Sequence, residues 1–152
     1  MPGIQIVIDC TDPARLVPFW ALALDYVPSP PPTGFGTWNE WYRSVGVPDE
    51  ELDLTGDGTD RVVDPDGAGP PIWFQAVPET KLVKNRLHLD IQVGRDDGGV
   101  KLPYEERRRR VRAKADVLIA ARGRELRLED NPTYERYFVT LADPEGNEFC
   151  LV

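Results

Sequence analysis

A pattern of predicted elements that occurs twice is the strongest constraint on how this chain folds. In each half, alternating apolar residues predict a strand, an amphipathic segment predicts a helix, and three further strands follow. The strand at residues 4–10 corresponds to the one at 87–93, and the strand at 72–77 corresponds to the one at 148–152. A strand–helix–strand–strand–strand unit that recurs within one chain predicts two related modules.

The helices have clear sequence boundaries. Asp12 is a good cap for a helix over residues 13–24, and Pro13 suits its first turn because the missing N–H is not needed there. A longer helix is predicted to open at Pro103 and to end at Gly123, and a short one is predicted at residues 37–45. The predicted buried stripe of the first helix, at three- and four-residue spacing, consists of Leu16, Phe19, Trp20 and Ala23.

The remaining segments read as loops and turns around a single domain of 152 residues. Residues 26–35 are rich in proline, residues 48–58 are acidic, and residues 143–147 form a hairpin turn between the last two strands. The predicted organisation is one domain over 1–152. Its first module spans 1–78 with an insertion at 36–58, and its second spans 86–152.

Composition excludes several classes of protein. The net charge of −8 argues against general nucleic-acid binding, which needs surplus lysine and arginine. The basic run at residues 107–110 is predicted to be a solvated helix face, with an anion site as the alternative. Two cysteines argue against a disulfide framework. No signal peptide or membrane span is visible, so the cytoplasm is the expected location.

The strand faces that the helices cannot cover are unusually polar. Gln5 and Asp9 share one such face in the first module, and His88, Asp90 and Gln92 share one in the second. Trp73 and Gln75 alternate with apolar residues in the strand at 72–77, as Glu148 and Cys150 do in the last strand. If the two sheets curl toward each other, these side chains line a small-molecule cleft. The alternative is that both faces simply meet solvent.

The chain resembles the vicinal oxygen chelate (VOC) superfamily of glyoxalases, extradiol dioxygenases and bleomycin-resistance proteins, in particular its glyoxalase-like members from actinobacteria. The resemblance covers nearly the whole sequence. It implies an α+β fold with two paired βαβββ modules whose curved mixed sheets surround a cleft. It also implies a small-molecule ligand and favours a homodimer. The motifs that carry it are Asp12-Pro13 with Phe19-Trp20, Trp73-Phe74-Gln75 with Val77-Pro78-Glu79, Lys84-Asn85-Arg86-Leu87-His88-Leu89-Asp90, and Asp143-Pro144-Glu145-Gly146-Asn147-Glu148-Phe149.

Carried over by position, the superfamily's metal ligands fall on Gln5, Gln75, His88 and Cys150. The set departs from the usual pattern, because Gln5 replaces a common histidine and Cys150 replaces the usual glutamate. Imidazole suits zinc, iron or nickel and a thiolate suits zinc, whereas two neutral amides are weak donors. Zinc, iron, nickel or manganese are the candidate metals. His88 is alternatively a hydrogen-bonded pocket residue without metal, or a structural histidine.

Three functions remain open from the sequence. The first is binding of a small molecule without a complete metal site, through Trp38, Trp41, Trp73, Gln75, His88 and Asp90. The second is a metal-dependent lyase, isomerase or dioxygenase that acts on vicinal oxygens. The third is an interaction module that uses the tryptophans of the insertion. Trp38 and Trp41 equally suit a pocket floor or core beneath that insertion.

Overall fold

The computed structural model describes residues 3–152; Met1 and Pro2, at the start of the predicted first module, lie outside the described residues. The chain divides into two compact units, the first ending at Thr80 and the second running from Lys81 to Val152. Together they form an α+β fold with two mixed four-stranded sheets and, within the described part of the chain, three α-helices.

The first unit has the order strand, helix, strand, helix, strand, strand. These elements are β1 (Ile6–Cys10), α1 (Pro13–Leu24), β2 (Val27–Pro28), α2 (Trp38–Ser44), β3 (Arg61–Val63) and β4 (Ile72–Ala76). The sheet order is β1-β4-β3-β2, in which β1 and β4 are parallel and the other pairs are antiparallel.

The second unit repeats that topology without the extra helix. Its elements are β5 (Asp90–Ile91), α3 (Tyr104–Ala120), β6 (Arg124–Asn131), β7 (Arg136–Ala142) and β8 (Glu148–Leu151). The sheet order β5-β8-β7-β6 is the counterpart of the first sheet, again with one parallel pair, β5 and β8. The predicted βαβββ repeat is therefore confirmed.

Helix α1 follows the sequence prediction closely. The Asp12 carboxylate accepts a hydrogen bond from the Ala14 N–H, and Pro13 occupies the first turn. The predicted stripe is buried together with Val17, and strands β3 and β4 supply the rest of this core. Fully burying one large apolar side chain stabilises the fold by about 1.5–3 kcal/mol. The largest buried side chains of this unit are Leu16, Phe19, Trp20, Val62, Ile72 and Phe74.

The second core packs α3 against β7 and β8. Val111, Ala115 and Leu118 of the helix are fully buried. Arg107 lies one turn before Val111 and is also buried, with only 5% of its surface exposed. The prediction of a solvated face is therefore wrong for Arg107, because its position places it on the buried stripe of α3.

Strand lengths are where the sequence prediction differs most from the structure. The strand predicted at residues 87–93 contains only Asp90–Ile91, because only these two residues pair with β8. Strand β6, predicted at 126–129, extends over Arg124–Asn131, because β7 pairs with it along that whole length. Among residues 3–152, no helix combines the length and apolar character needed to cross a bilayer.

Replacing the cap of α1 should destabilise the first unit. We expect Asp12→Ala to lower the free energy of unfolding by about 1 kcal/mol, because the Ala14 N–H loses its side-chain acceptor. Asp12→Asn keeps an acceptor oxygen and should retain most of the stability. Urea denaturation of the three proteins measures both effects, and equal stability of the alanine and asparagine variants would contradict the capping role.

Candidate functional site

Each sheet turns its second face away from the helix that covers the first. In the first unit, Val7 lies opposite Trp73 and Asp9 lies opposite Gln75 in the parallel β1–β4 pair. These residues are exposed or half-buried, whereas the alternating Ile72 and Phe74 are buried. Since successive side chains of a strand point to opposite faces, the polar residues share the face that α1 leaves open.

A cavity of about 430 Å³ lies in the first unit. Trp73 and Gln75 of β4 form part of its wall together with Tyr42 of α2. The first turn of α1 and the loop that leads into β3 complete the wall, through residues such as Pro13 and Thr59. The structure therefore brings two predicted ligand-binding residues, Trp73 and Gln75, to one concave surface.

The Asp60 carboxylate organises one side of this cavity. Its Oδ2 accepts hydrogen bonds from the Tyr42 hydroxyl at 2.5 Å and from Trp73 Nε1 at 2.8 Å, and its Oδ1 accepts one from Arg61 Nε at 2.7 Å. Because one rigid group holds both aromatic side chains, the wall is positioned before any ligand arrives. Burial, followed by the hydrogen bond to Asp60, raises the pKa of Tyr42 to about 12.

Trp38 and Trp41 belong to an aromatic cluster of the insertion. Trp38 is buried, donates from Nε1 to the Ser29 carbonyl at 2.8 Å, and packs edge-to-face on Trp41 with ring centroids 5.5 Å apart. The Arg61 guanidinium lies 4.3 Å from the centre of the Trp38 ring. The helix thus lends Tyr42, rather than either tryptophan, to the cavity wall.

Asn39 ties helix α2 to the acidic loop. Its side-chain amide donates to the carbonyls of Asp53 and Gly56, and its backbone N–H donates to the Asp57 carbonyl. Gly58 has a φ of +84°, and a Cβ there would come within 2.2 Å of Asn39 Oδ1. Only glycine therefore fits this turn, which holds the loop against the cavity.

Three side chains of types that commonly bind metals converge on the open face of the second sheet. Ligand atoms of His88, Asp90 and Cys150 all lie within 4.8 Å of one another, and His88 Nε2 is 3.4 Å from Asp90 Oδ1. The pairing of β5 with β8 places Asp90 directly opposite Cys150. The Cys150 Sγ is also 3.4 Å from the Thr140 hydroxyl. This is the only such cluster among residues 3–152.

Asp90 is the member of this cluster that does not belong to the metal-ligand set implied by the superfamily resemblance. It lies two residues from His88, and two residues along a strand is the spacing that returns to the same face. That spacing is visible in the sequence, but the cross-strand position of Cys150 opposite Asp90 is not. The structure therefore adds a carboxylate to a donor set in which the sequence offered none.

Gln5 and Gln75 are not brought together by the first sheet. Gln75 lies opposite Asp9, whereas Gln5 precedes β1 by one residue and is exposed. The four residues between Gln5 and Asp9 correspond to about 13 Å of extended chain. By the pairing registers, Asp9 of the first unit corresponds to Asp90 of the second, and Val7 rather than Gln5 corresponds to His88.

Comparisons with known proteins agree with this architecture. A family model described as "Glyoxalase-like domain" matches residues 5–152. A glyoxalase/bleomycin resistance protein/dioxygenase family enzyme from Burkholderia phytofirmans PsJN has a TM-score of 0.54 at 16% identity, covering 97% of this chain and 94% of that one. No curated protein sequence matches this chain.

Two structures of the fosfomycin resistance protein FosX from Listeria monocytogenes are also similar. The first has a TM-score of 0.52 at 10% identity and covers 99% of this chain and 92% of that one. The second is a FosX mutant complexed with Mn(II) and 1S,2S-dihydroxypropylphosphonic acid. It has a TM-score of 0.53 at 11% identity and covers 99% of this chain and 89% of that one. At these identities the likeness concerns the fold. Together with the family match over nearly the whole sequence, it shows that this chain belongs to the glyoxalase-like family of the VOC superfamily.

Proposed function

We propose that this protein binds a small organic molecule through the sheet faces that its helices leave uncovered. The observation that carries the proposal is the cavity of about 430 Å³ in the first unit, where Trp73 and Gln75 share a wall with Tyr42. An aromatic wall with a few polar groups is the usual makeup of a small-molecule pocket. The half-buried Gln75 amide has no hydrogen-bond partner among residues 3–152, so its donor and acceptor remain available to a ligand.

The charges of this cavity favour neutral or cationic ligands. Asp12, Glu51 and Asp53 contribute to its lining, and no lysine, arginine or histidine does so. Asp60 adds little free negative charge, because Arg61 pairs with it at 2.7 Å. An anionic ligand would meet repulsion from the Glu51 and Asp53 carboxylates, whereas an amine or a neutral heterocycle would not.

The loss of the Gln75 amide tests this proposal. A fragment screen followed by NMR of the tryptophan indole N–H signals should yield fragments that shift the Trp73 signal. We expect Gln75→Leu to weaken their binding between about twofold and tenfold, the effect of one lost hydrogen bond. Thr33→Val removes an exposed polar group outside the cavity wall and should leave affinity unchanged. Unchanged affinity in Gln75→Leu, or fragments that never shift the Trp73 signal, would contradict the proposal.

The Tyr42 hydroxyl should stay protonated throughout the physiological range. Its folded pKa of about 12 exceeds the ordinary value of 10.0, so the folded state holds this proton more tightly than the unfolded state. The resulting stabilisation is complete below pH 10 and is lost as the pH rises toward 12. We expect Asp60→Asn to lower this pKa, visible as earlier phenolate absorbance in an alkaline titration. In a protein that already carries Tyr42→Phe, Asp60→Asn should not alter the phenolate titration. If it does so to the same extent, the shifted phenolate absorbance belongs to another tyrosine.

A second candidate function is metal-dependent, and the His88, Asp90 and Cys150 cluster favours it. An imidazole nitrogen, a carboxylate oxygen and a thiolate sulfur form a donor set that suits zinc, and His88 and Asp90 are about half exposed, which leaves room for a ligand. A divalent ion held by these residues would supply Lewis-acid polarisation of substrate oxygens. Lyase, isomerase and dioxygenase reactions at vicinal oxygens are the reaction classes that this candidate includes.

Metal analysis separates the two candidates. The protein is reconstituted with zinc, manganese, nickel or iron(II), and excess metal is removed. The second candidate then requires about one retained ion per chain, measured by inductively coupled plasma mass spectrometry. His88→Ala should abolish retention, and Asp90→Asn should weaken it by about 10- to 100-fold or more. Asp97→Asn, an exposed carboxylate outside the cluster, is the matched control. No retained metal, or full retention by His88→Ala, would reject the second candidate and leave metal-free binding.

A further inference from the structure

A second cavity, of about 330 Å³, lies within the second unit. It borders the ends of β5 and β8 and the start of β7, and four cationic side chains line it: Arg95, Lys101, Arg107 and Arg136. Two acidic side chains, Asp90 and Glu135, share that lining. The chain has a net charge of −8, so a cavity lined by more cations than carboxylates has the opposite sign of charge to the protein as a whole.

The fold holds two of these cations on a tight loop after β5. Arg95 and Lys101 face each other across an isolated antiparallel bridge, and the Asp96 carboxylate accepts backbone N–H groups of Gly98 and Val100 within the turn. The Arg95 guanidinium donates to the Gly99 carbonyl at 2.7 Å and to the Gln92 side-chain oxygen at 2.7 Å. These acceptors orient Arg95 without neutralising its charge.

Arg107 brings a buried charge to the same cavity. Its Nε donates to the Leu102 carbonyl at 2.9 Å and its Nη2 donates to the Glu135 carbonyl at 2.8 Å. The Glu135 carboxylate is 4.0 Å away and largely exposed, so it compensates this charge only weakly. A buried guanidinium held mainly by neutral carbonyls is electrostatically costly unless a further negative group approaches it.

Three cations of this cavity differ from the other arginines of α3. Arg108, Arg109, Arg110 and Arg112 each lie within ion-pair distance of at least one carboxylate. In contrast, no ion pair to a described carboxylate exists for Arg95, Lys101 or Arg136, and the Arg136 guanidinium only contacts the Phe138 ring at 6.0 Å. Three cations without an ion pair to a described carboxylate thus share this one cavity.

We infer that this cavity binds an oxyanion, a phosphate, phosphonate or carboxylate group of a small molecule. Guanidinium and ammonium groups match such anions in charge and in hydrogen-bond donors. The aromatic rings of Tyr137 and Phe138 adjoin the cations and offer an apolar surface for the body of the ligand. This cavity shares no lining residue with the acidic cavity of the first unit. Anion binding here therefore does not depend on whether the acidic cavity binds the ligand proposed above.

Titration of the whole chain with inorganic phosphate and with acetate, at ionic strength kept constant with sodium chloride, tests the inference. Arginine side-chain N–H signals in NMR spectra report binding directly. We expect saturable shifts with at least one of the two anions. Stronger binding of phosphate identifies a phosphate or phosphonate ligand, and stronger binding of acetate identifies a carboxylate.

Two variants decide whether this cavity is the place where the anion binds. The Lys101→Met, Arg136→Gln double variant removes two exposed cations and should weaken binding by about tenfold or more. Arg109→Gln removes an exposed cation outside the cavity and should leave binding unchanged. No saturable shift with either anion, or equal weakening by Arg109→Gln, would overturn the inference, because the response would then be general surface electrostatics.

Discussion

Each sheet of this protein has two faces and a single main helix to cover one of them. In the first unit the covered face holds Ile72 and Phe74, so the alternation of the strand turns Trp73 and Gln75 the other way. In the second, Phe149 and Leu151 are buried and Cys150 is left on the open face. Among the strand residues, only those on the uncovered faces can present polar groups to a ligand, because the core fills the covered faces.

The two units share one topology, but the side chains that line their cavities carry opposite charges. The cavity of the first unit has carboxylates in its lining and no cationic side chain, whereas the cavity of the second gathers four cations. Asp60 organises the first through hydrogen bonds to two aromatic side chains, and buried Arg107 anchors the second. A repeated backbone therefore presents two cavities of opposite charge, since side chains on the open faces contribute little to the core and are free to differ.

Local signals in the sequence were sufficient for much of the fold. The cap at Asp12, the stripe of α1 and the hairpin turn after Asp143 depend on residues a few positions apart, and all three are found as predicted. Arg107 departs from its prediction because it lies four residues before Val111, on the buried stripe of α3, although its charge favours solvent. Matching the strands at 4–10 and 87–93 by sequence aligns Gln5 with His88, whereas the pairing registers align Val7, two residues later, with His88. The registers depend on contacts between strands that are distant in the sequence.

By itself, the sequence determined the order of the elements, the ends of the helices and which face of each strand is apolar, because helical and strand periodicity are local properties of the backbone. Only the tertiary structure decided that Asp90 lies beside Cys150, that Asp60 joins Tyr42 to Trp73, and that Arg136 shares a hollow with Lys101. Those neighbours are separated by between 13 and 60 positions in the chain. Strand register and loop conformation, which no local pattern encodes, bring them into contact.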